Sequence, residues 1–210
     1  MRIVNQSVSW ENFIPEGEKV LAAIERAGRT CYKSEDKITP DSARRFVQSL
    51  LARGHESVLE HVSLSVRIIC DRGVSHEIVR HRLASYSQES TRYCNYQAKQ
   101  GHIAVIEPPG LGPGCYKKWE HAVEVAEEAY TYMIEAGLSP QIARSVLPTG
   151  LKTELVMTAN LREWRLFFRL RTAPAAHPQM REVAFMILAL FEGAIPILFD
   201  DFPEDKKCPA

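Results

Sequence analysis

Neither sign of charge is in excess: 26 Lys and Arg are matched by 26 Asp and Glu, for a formal net charge of zero. A general binder of polymeric nucleic acid relies on a cationic surplus to displace counterions, and this chain has none overall, so the arginines read as a local site for small anions and no polymeric nucleic acid is expected as partner. Long apolar runs are also missing. No stretch reaches the roughly 18 residues that suggest a membrane-spanning helix, and Met1-Arg2-Ile3-Val4-Asn5 lacks the apolar core of a signal peptide. A cytoplasmic protein without a membrane partner is expected. Cysteine is sparse: residues 31, 70, 94, 115 and 208 are odd in number, scattered and without a C-x-x-C pair. That pattern predicts reduced thiols, with no disulfide frame and no zinc site. Repeats, low-complexity segments and dividing linkers are absent as well, so residues 1–210, 45% of them hydrophobic, are read as a single domain.

Periodicity then supplies the elements. Residues 16–28 read as a helix after Pro15, with Val20, Ile24 and Ala27 on one face and Gly28 at its end. A second helix opens with Thr39 as N-cap and Pro40 at the first helical position, turns Phe46, Val47, Leu50 and Leu51 inward, and closes at Gly54. Val62, Leu64, Val66 and Ile68 alternate with polar residues, which is a strand with one buried face. Asp71-Arg72-Gly73 is expected to turn the chain into a short helix from Val74 to Val79. Residues 108–114 are read as a loop whose Gly-x-Gly follows no strand and is stiffened by prolines, so it is no dinucleotide fingerprint. The longest helix is expected from Tyr116 to Gly137, and a second alternating strand runs from Leu151 to Thr158. Asn160 and Glu163 suggest a capping box before a helix with Trp164, Phe167 and Phe168 on one side and Arg162, Arg165 and Arg169 on the other. A last helix should start at Pro178 and end before Pro196.

Residues 80–92 contain Arg80, His81, Arg82, Ser85, Ser87, Ser90, Thr91 and Arg92 against one carboxylate, Glu89. Guanidinium forks and neighbouring hydroxyls suit phosphate or carboxylate oxygens, although a basic helix end followed by a Ser-rich surface turn has the same composition. Upstream, His55, Glu56, Glu60 and His61 invite a metal reading, but the two histidines are six residues apart. On a helix that is a rotation of about 240°, not the shared face of a zinc helix, which leaves ligand contact or a hydrogen-bond cluster as the better readings and no metal expected. Cys94 lies near cationic residues, as a reactive thiolate would, yet most free cysteines are small core residues. Ser90 as a nucleophile would need a base that the sequence does not bring to it, so a ligand role is the better reading.

Arg80-His81-Arg82, seven residues and then Ser90, with Arg92-Tyr93 following, resembles the signature of the flavin-dependent thymidylate synthases. Gly54-His55-Glu56-Ser57, Glu60-His61, Asn160, Arg162, Arg171 and His177 fall in that family's order, so the resemblance covers about residues 20–190. It implies an α+β fold, a mainly antiparallel sheet flanked by long helices, assembled as a homotetramer with active sites shared between subunits. It also implies reductive methylation of dUMP to dTMP, with FAD as cofactor and NADPH and methylenetetrahydrofolate as co-substrates. Its FAD contacts would be Ser57, Arg80, His81, Arg82, Gln88, Asn160, Leu161 and Arg162. Its dUMP contacts would be Glu77, Ile78, Val79 and Arg80, then Gln88, Glu89, Ser90, Thr91 and Arg92, with Arg144 and Arg171. Arg171 matches the residue that favours ionisation of the uracil at N3, an electrostatic form of catalysis. Position 171 lies about 200° round the helix from Arg169, towards the aromatic side. Three features depart from the pattern: Leu166 stands where an asparagine or histidine faces the flavin, Ser87-Gln88-Glu89 replaces an Asn-Glu-apolar version, and the Arg171–His177 interval is two residues longer. A non-catalytic nucleotide- or RNA-binding protein using the same arginines is the alternative, and a metal hydrolase at the His55-Glu56 cluster is a third.

Overall fold

A computed structural model describes residues 1–202. Its centre is a pair of nine-residue strands, β3 (Ser63–Asp71) and β6 (Lys152–Asn160), antiparallel from Ser63 opposite Asn160 to Asp71 opposite Lys152. Both strands alternate, β3 as far as Cys70: Leu64, Val66, Ile68 and Cys70 pair in depth with Thr153, Leu155, Met157 and Ala159 on the buried face. β2 (Ser7–Trp10) adds to the outer edge of β3 and β4 (Ala84–Gln88) to the outer edge of β6, giving the antiparallel order β2-β3-β6-β4. A separate parallel pair joins β1 (Arg2–Val4) to β5 (Ala104–Ile106). The α+β class and the mainly antiparallel sheet are thus as expected.

The buried face carries the main core, packed by α1 (Gly17–Tyr32), α2 (Ser42–Ala52), α7 (Leu161–Arg171) and α8 (Pro178–Ala194). A second core, containing Tyr96, Ile103, Val105, Val123, Tyr130 and Leu151, sits under α5 (Pro113–Glu135). α3 (Arg72–Ile78) follows β3 directly, and two short helices, α4 (Tyr96–Gln100) and α6 (Pro140–Ala143), complete the chain. Among the described residues, no helix is long and apolar enough to cross a membrane.

Several sequence expectations are corrected. α1 runs through Gly28 to Tyr32 because that glycine is a packing residue, not a stop: a Cβ there would lie 2.7 Å from the Phe46 ring. α2 begins at Ser42, not after Thr39, since the Ser42 hydroxyl bonds the Thr39 backbone and closes a turn before the helix. Its end agrees, with Gly54 at φ 69°. No turn separates β3 from α3; Asp71 caps the helix itself, accepting from the Val74 amide at 2.6 Å. Val62 precedes the strand rather than opening it, and Leu151 contributes an isolated bridge to Val105 rather than a strand residue. Pro113 and Gly114, read as loop, form the first turn of α5, where proline's missing N–H costs nothing. In the helix row 162/165/169, Arg162 and Arg169 are exposed, but Arg165 is 4% exposed, clamped by Asp201 at 2.5 and 2.8 Å and by Glu56 at 3.3 Å. Cys31, Cys70, Cys94 and Cys115 are free, as expected, and burial pushes the Cys70 thiol up to about 12; Cys208 lies outside the described residues.

Candidate functional site

The second face of the sheet stays polar and half open. Ser65 and Thr158 share a 2.8 Å hydroxyl hydrogen bond across β3 and β6, and Arg67 is paired with Glu11 and Glu154. At the end of this face where β3 starts, β6 stops and β4 begins, a cleft of about 840 Å³ opens. That is within the usual range for small-molecule sites. Arg82, Asn160 and Arg162, three of the expected FAD contacts, line it with Glu56, Glu60, Leu83, Leu166 and Arg169. Ser57 and Arg162 line an adjoining pocket of about 340 Å³ with Tyr32 and His55.

The cations around the cleft differ in commitment. Arg162 donates to Glu60 at 2.5 Å and Arg169 to Glu56 at 3.2 and 3.3 Å, whereas Arg82 is exposed and makes no ion pair among the described residues. A pyrophosphate-bearing, part-aromatic molecule fits this donor set: guanidinium groups for the phosphates, with the exposed Leu83 and Leu166 for a flat ring. Leu166, which departs from the resemblance, is 39% exposed on α7 and presents an apolar wall.

The expected dUMP contacts lie elsewhere. Gln88 donates to Ser75 and Thr153 hydroxyls, Glu89 accepts from Lys152 at 2.9 Å and Tyr96 at 2.7 Å, and Arg144 donates to Thr91 at 3.2 Å. Ser90 accepts from the Arg92 amide at 3.3 Å, and Arg92 is exposed over the Tyr93 ring. Gln88 to Arg92 therefore lie at and beyond the far end of β4, about 10 Å along an antiparallel strand from Ser85, its last residue on the cleft. The chain joins the two groups through one strand but does not merge them.

Arg171, Glu77 and His81 form a third cluster. Arg171 leaves the row of its helix neighbours and donates three times, to a Glu77 carboxylate oxygen at 2.8 Å, the Glu77 carbonyl at 2.9 Å and His81 Nε2 at 3.1 Å. His81 is 4% exposed, meets the Phe167 ring at a tilt with centroids 4.9 Å apart, and faces Glu163 through Nδ1 at 3.1 Å. Burial pushes its pKa below the ordinary histidine value, and the Arg171 charge adds to this while Glu163 opposes it. Leu161 and Ile78 give their side chains wholly to the core, whereas Val79 and Arg80 are exposed. The capping box is half formed: Asn160 accepts from the Glu163 amide at 2.9 Å, but the Glu163 carboxylate turns to His81, a contact 82 residues away. Sequence reading missed that second use of Glu163, and also the Glu56–Arg165–Asp201 clamp.

The clamp has a measurable consequence. Burial, the largest influence on Glu56, Glu154 and Asp201, pushes each carboxyl up, but Arg169 and Arg165, Arg67 and Lys152, and Arg165 respectively hold them below the ordinary range. Depressed folded-state values stabilise the protein above the unfolded values and lose that contribution as pH falls through the folded ones. Thermal midpoints should be level near neutrality and fall progressively below about pH 4. Glu56→Gln should flatten part of that fall, and a wild-type midpoint unchanged down to about pH 3 would refute the assignment.

Fold and cleft together define an α+β protein with an arginine-lined cleft at one end of an antiparallel sheet. Residues 15–197 match the family described as thymidylate synthase complementing protein, and the chain belongs to that family. It is similar to the flavin-dependent thymidylate synthases of Geobacter sulfurreducens, at 35% identity over 86% of this chain and 81% of the relative, and of Mycolicibacterium vanbaalenii, at 36% over 86% and 79%. A solved UMP/dUMP methylase, PolB from Streptomyces cacaoi bound with 5-Br dUMP, superposes with TM-score 0.80 over the whole of both chains; at 24% identity that likeness speaks to fold.

Proposed function

We propose that this protein methylates dUMP reductively to dTMP, using methylenetetrahydrofolate as carbon donor and NADPH to reduce a bound FAD. The observation that carries the reading is the cleft of about 840 Å³ lined by Arg82, Asn160 and Arg162, found in a chain whose relatives are flavin-dependent thymidylate synthases. FAD, when bound, supplies the redox chemistry. Arg82, Arg162 and Asn160 hold the cofactor, with Ser57 in the adjoining pocket and Leu166 as an apolar wall. Ser90, Arg92 and Arg144 hold the nucleotide, and Arg171 places fixed positive charge where the uracil ring gains negative charge. No side chain need act as a strong nucleophile, and Cys94 is assigned no role. The separation of about 10 Å between the two groups along β4 favours a site completed by other copies of the chain, and we infer a homotetramer.

Purified protein should be yellow or become so with added FAD, and NADPH should bleach it under anaerobic conditions. Supplied with dUMP and methylenetetrahydrofolate, it should form dTMP. A colourless protein with no FAD binding by calorimetry would overturn the reading, and salt-sensitive affinity for oligonucleotides would replace it with nucleic-acid binding.

A further inference from the structure

Glu163 is 4% exposed, and its carboxylate makes no ion pair with lysine or arginine among the described residues. A buried carboxylate is costly unless hydrogen-bonded, and the group that meets it is His81 Nδ1 at 3.1 Å. The other imidazole nitrogen, Nε2, lies 3.1 Å from Arg171 Nε. A guanidinium N–H can donate but cannot accept, so Nε2 has to present its lone pair. Nδ1 then carries the proton and donates it to Glu163, which is the arrangement a carboxylate imposes on a neutral imidazole.

The rest of the surroundings fix the ring but not its proton. Phe167 packs at a tilt against the imidazole, and the Tyr86 hydroxyl shares its proton between the carbonyls of Ile78 at 2.9 Å and His81 at 2.7 Å. Tyr86, Arg171 and Glu163 are the titratable groups facing His81, with Glu77 beyond Arg171. Glu163 alone among them accepts from the imidazole. Were Nε2 to carry the proton, two donors would face one another and Arg171 would lose one of the three contacts that set its plane. Glu163 also lines the cleft that holds Arg82 and Asn160, so it touches both the cofactor wall and the support of Arg171.

We propose that Glu163 is a positioning residue: through His81 it fixes the imidazole tautomer that holds the Arg171 guanidinium in place for the nucleotide. The proposal rests on the function proposed above. The tautomer itself is read in the free protein, so its failure is separable from a failure of that function.

The test is nitrogen-15 NMR of the His81 imidazole, identified by its loss in His81→Asn, together with steady-state kinetics. Wild-type protein should show a bare Nε2 and a protonated Nδ1. Glu163→Ala should protonate Nε2 in a large fraction of molecules and lower kcat by about tenfold or more, with KM for dUMP and flavin content changed by less than about threefold. Glu163→Gln keeps an acceptor oxygen, so it should retain the wild-type tautomer and recover kcat to within about threefold. A wild-type Nε2 that bears the proton overturns the proposal, as does lost turnover in Glu163→Ala with the tautomer unchanged, or unimpaired turnover in that variant. If Glu163→Ala does not fold, the wild-type tautomer and Glu163→Gln decide: a tenfold or greater loss in a folded Glu163→Gln overturns it.

Discussion

Lysine in place of Arg171 is expected to leave a folded protein that retains FAD and turns over at least about tenfold more slowly, a loss of roughly 1.4 kcal/mol or more of transition-state stabilisation. The charge survives this substitution, so a simple need for a cation near the uracil predicts little change. Geometry predicts otherwise. Arg171 reaches a Glu77 carboxylate oxygen, the Glu77 carbonyl and His81 Nε2 from three separate nitrogens. One ammonium at the end of a flexible stem has its three protons on one atom and cannot meet partners spread around a planar fork. The nucleotide would then meet a charge without a fixed direction, and preorganised stabilisation would weaken. Turnover close to wild type, measured as kcat with flavin content matched, would show that the planar fork is not used.

Phe168→Ala is expected to cost the fold about 3–5 kcal/mol, the range for truncating a fully buried aromatic side chain. Phe168 is 0% exposed and its ring centroid lies 5.4 to 6.0 Å from those of Trp164, Phe167, Phe191, Phe199 and Phe202. Those rings come from α7, α8 and the segment after it, so no one neighbour can move into the void without disturbing the others. Urea denaturation measures the loss directly, with the slope unchanged if the unfolded state is unaffected. A cost below about 1 kcal/mol would mean that the cluster collapses freely around the gap.

What was legible in the sequence follows from the range of the forces involved. β3 and β6 are buried on one face over nine residues, so their alternation is plain, and α1, α2, α5 and α8 show their apolar spacing in the same way. β4 was missed because, Tyr86 apart, its residues Ala84, Ser85, Ser87 and Gln88 have little intrinsic preference for strand; pairing with β6 creates it. β1, β2 and β5 are three or four residues long, too short for a period to appear. Arg165 had the spacing of an exposed row, and only Asp201 and Glu56, 36 and 109 residues distant, make its burial possible. At the site, residue types and their order were readable, including Arg82, Asn160 and Arg162 around one cleft. Glu163 could be read locally as a cap residue, but its pairing with His81 depends on the fold.

The central pairing of β3 with β6 also dictates when the protein can come into being. Ser63 opposite Asn160 and Asp71 opposite Lys152 are joined by a long loop whose closure entropy must be overcome before the pairing returns any stability. During synthesis, β2 and β3 leave the ribosome as an incomplete sheet, with the inner edge of β3 unpaired until residues 152–160 follow. A chain halted before residue 152 therefore exposes an edge ready to pair with another nascent copy, and the four-stranded sheet closes only once the strand that joins β3 to β4 has arrived.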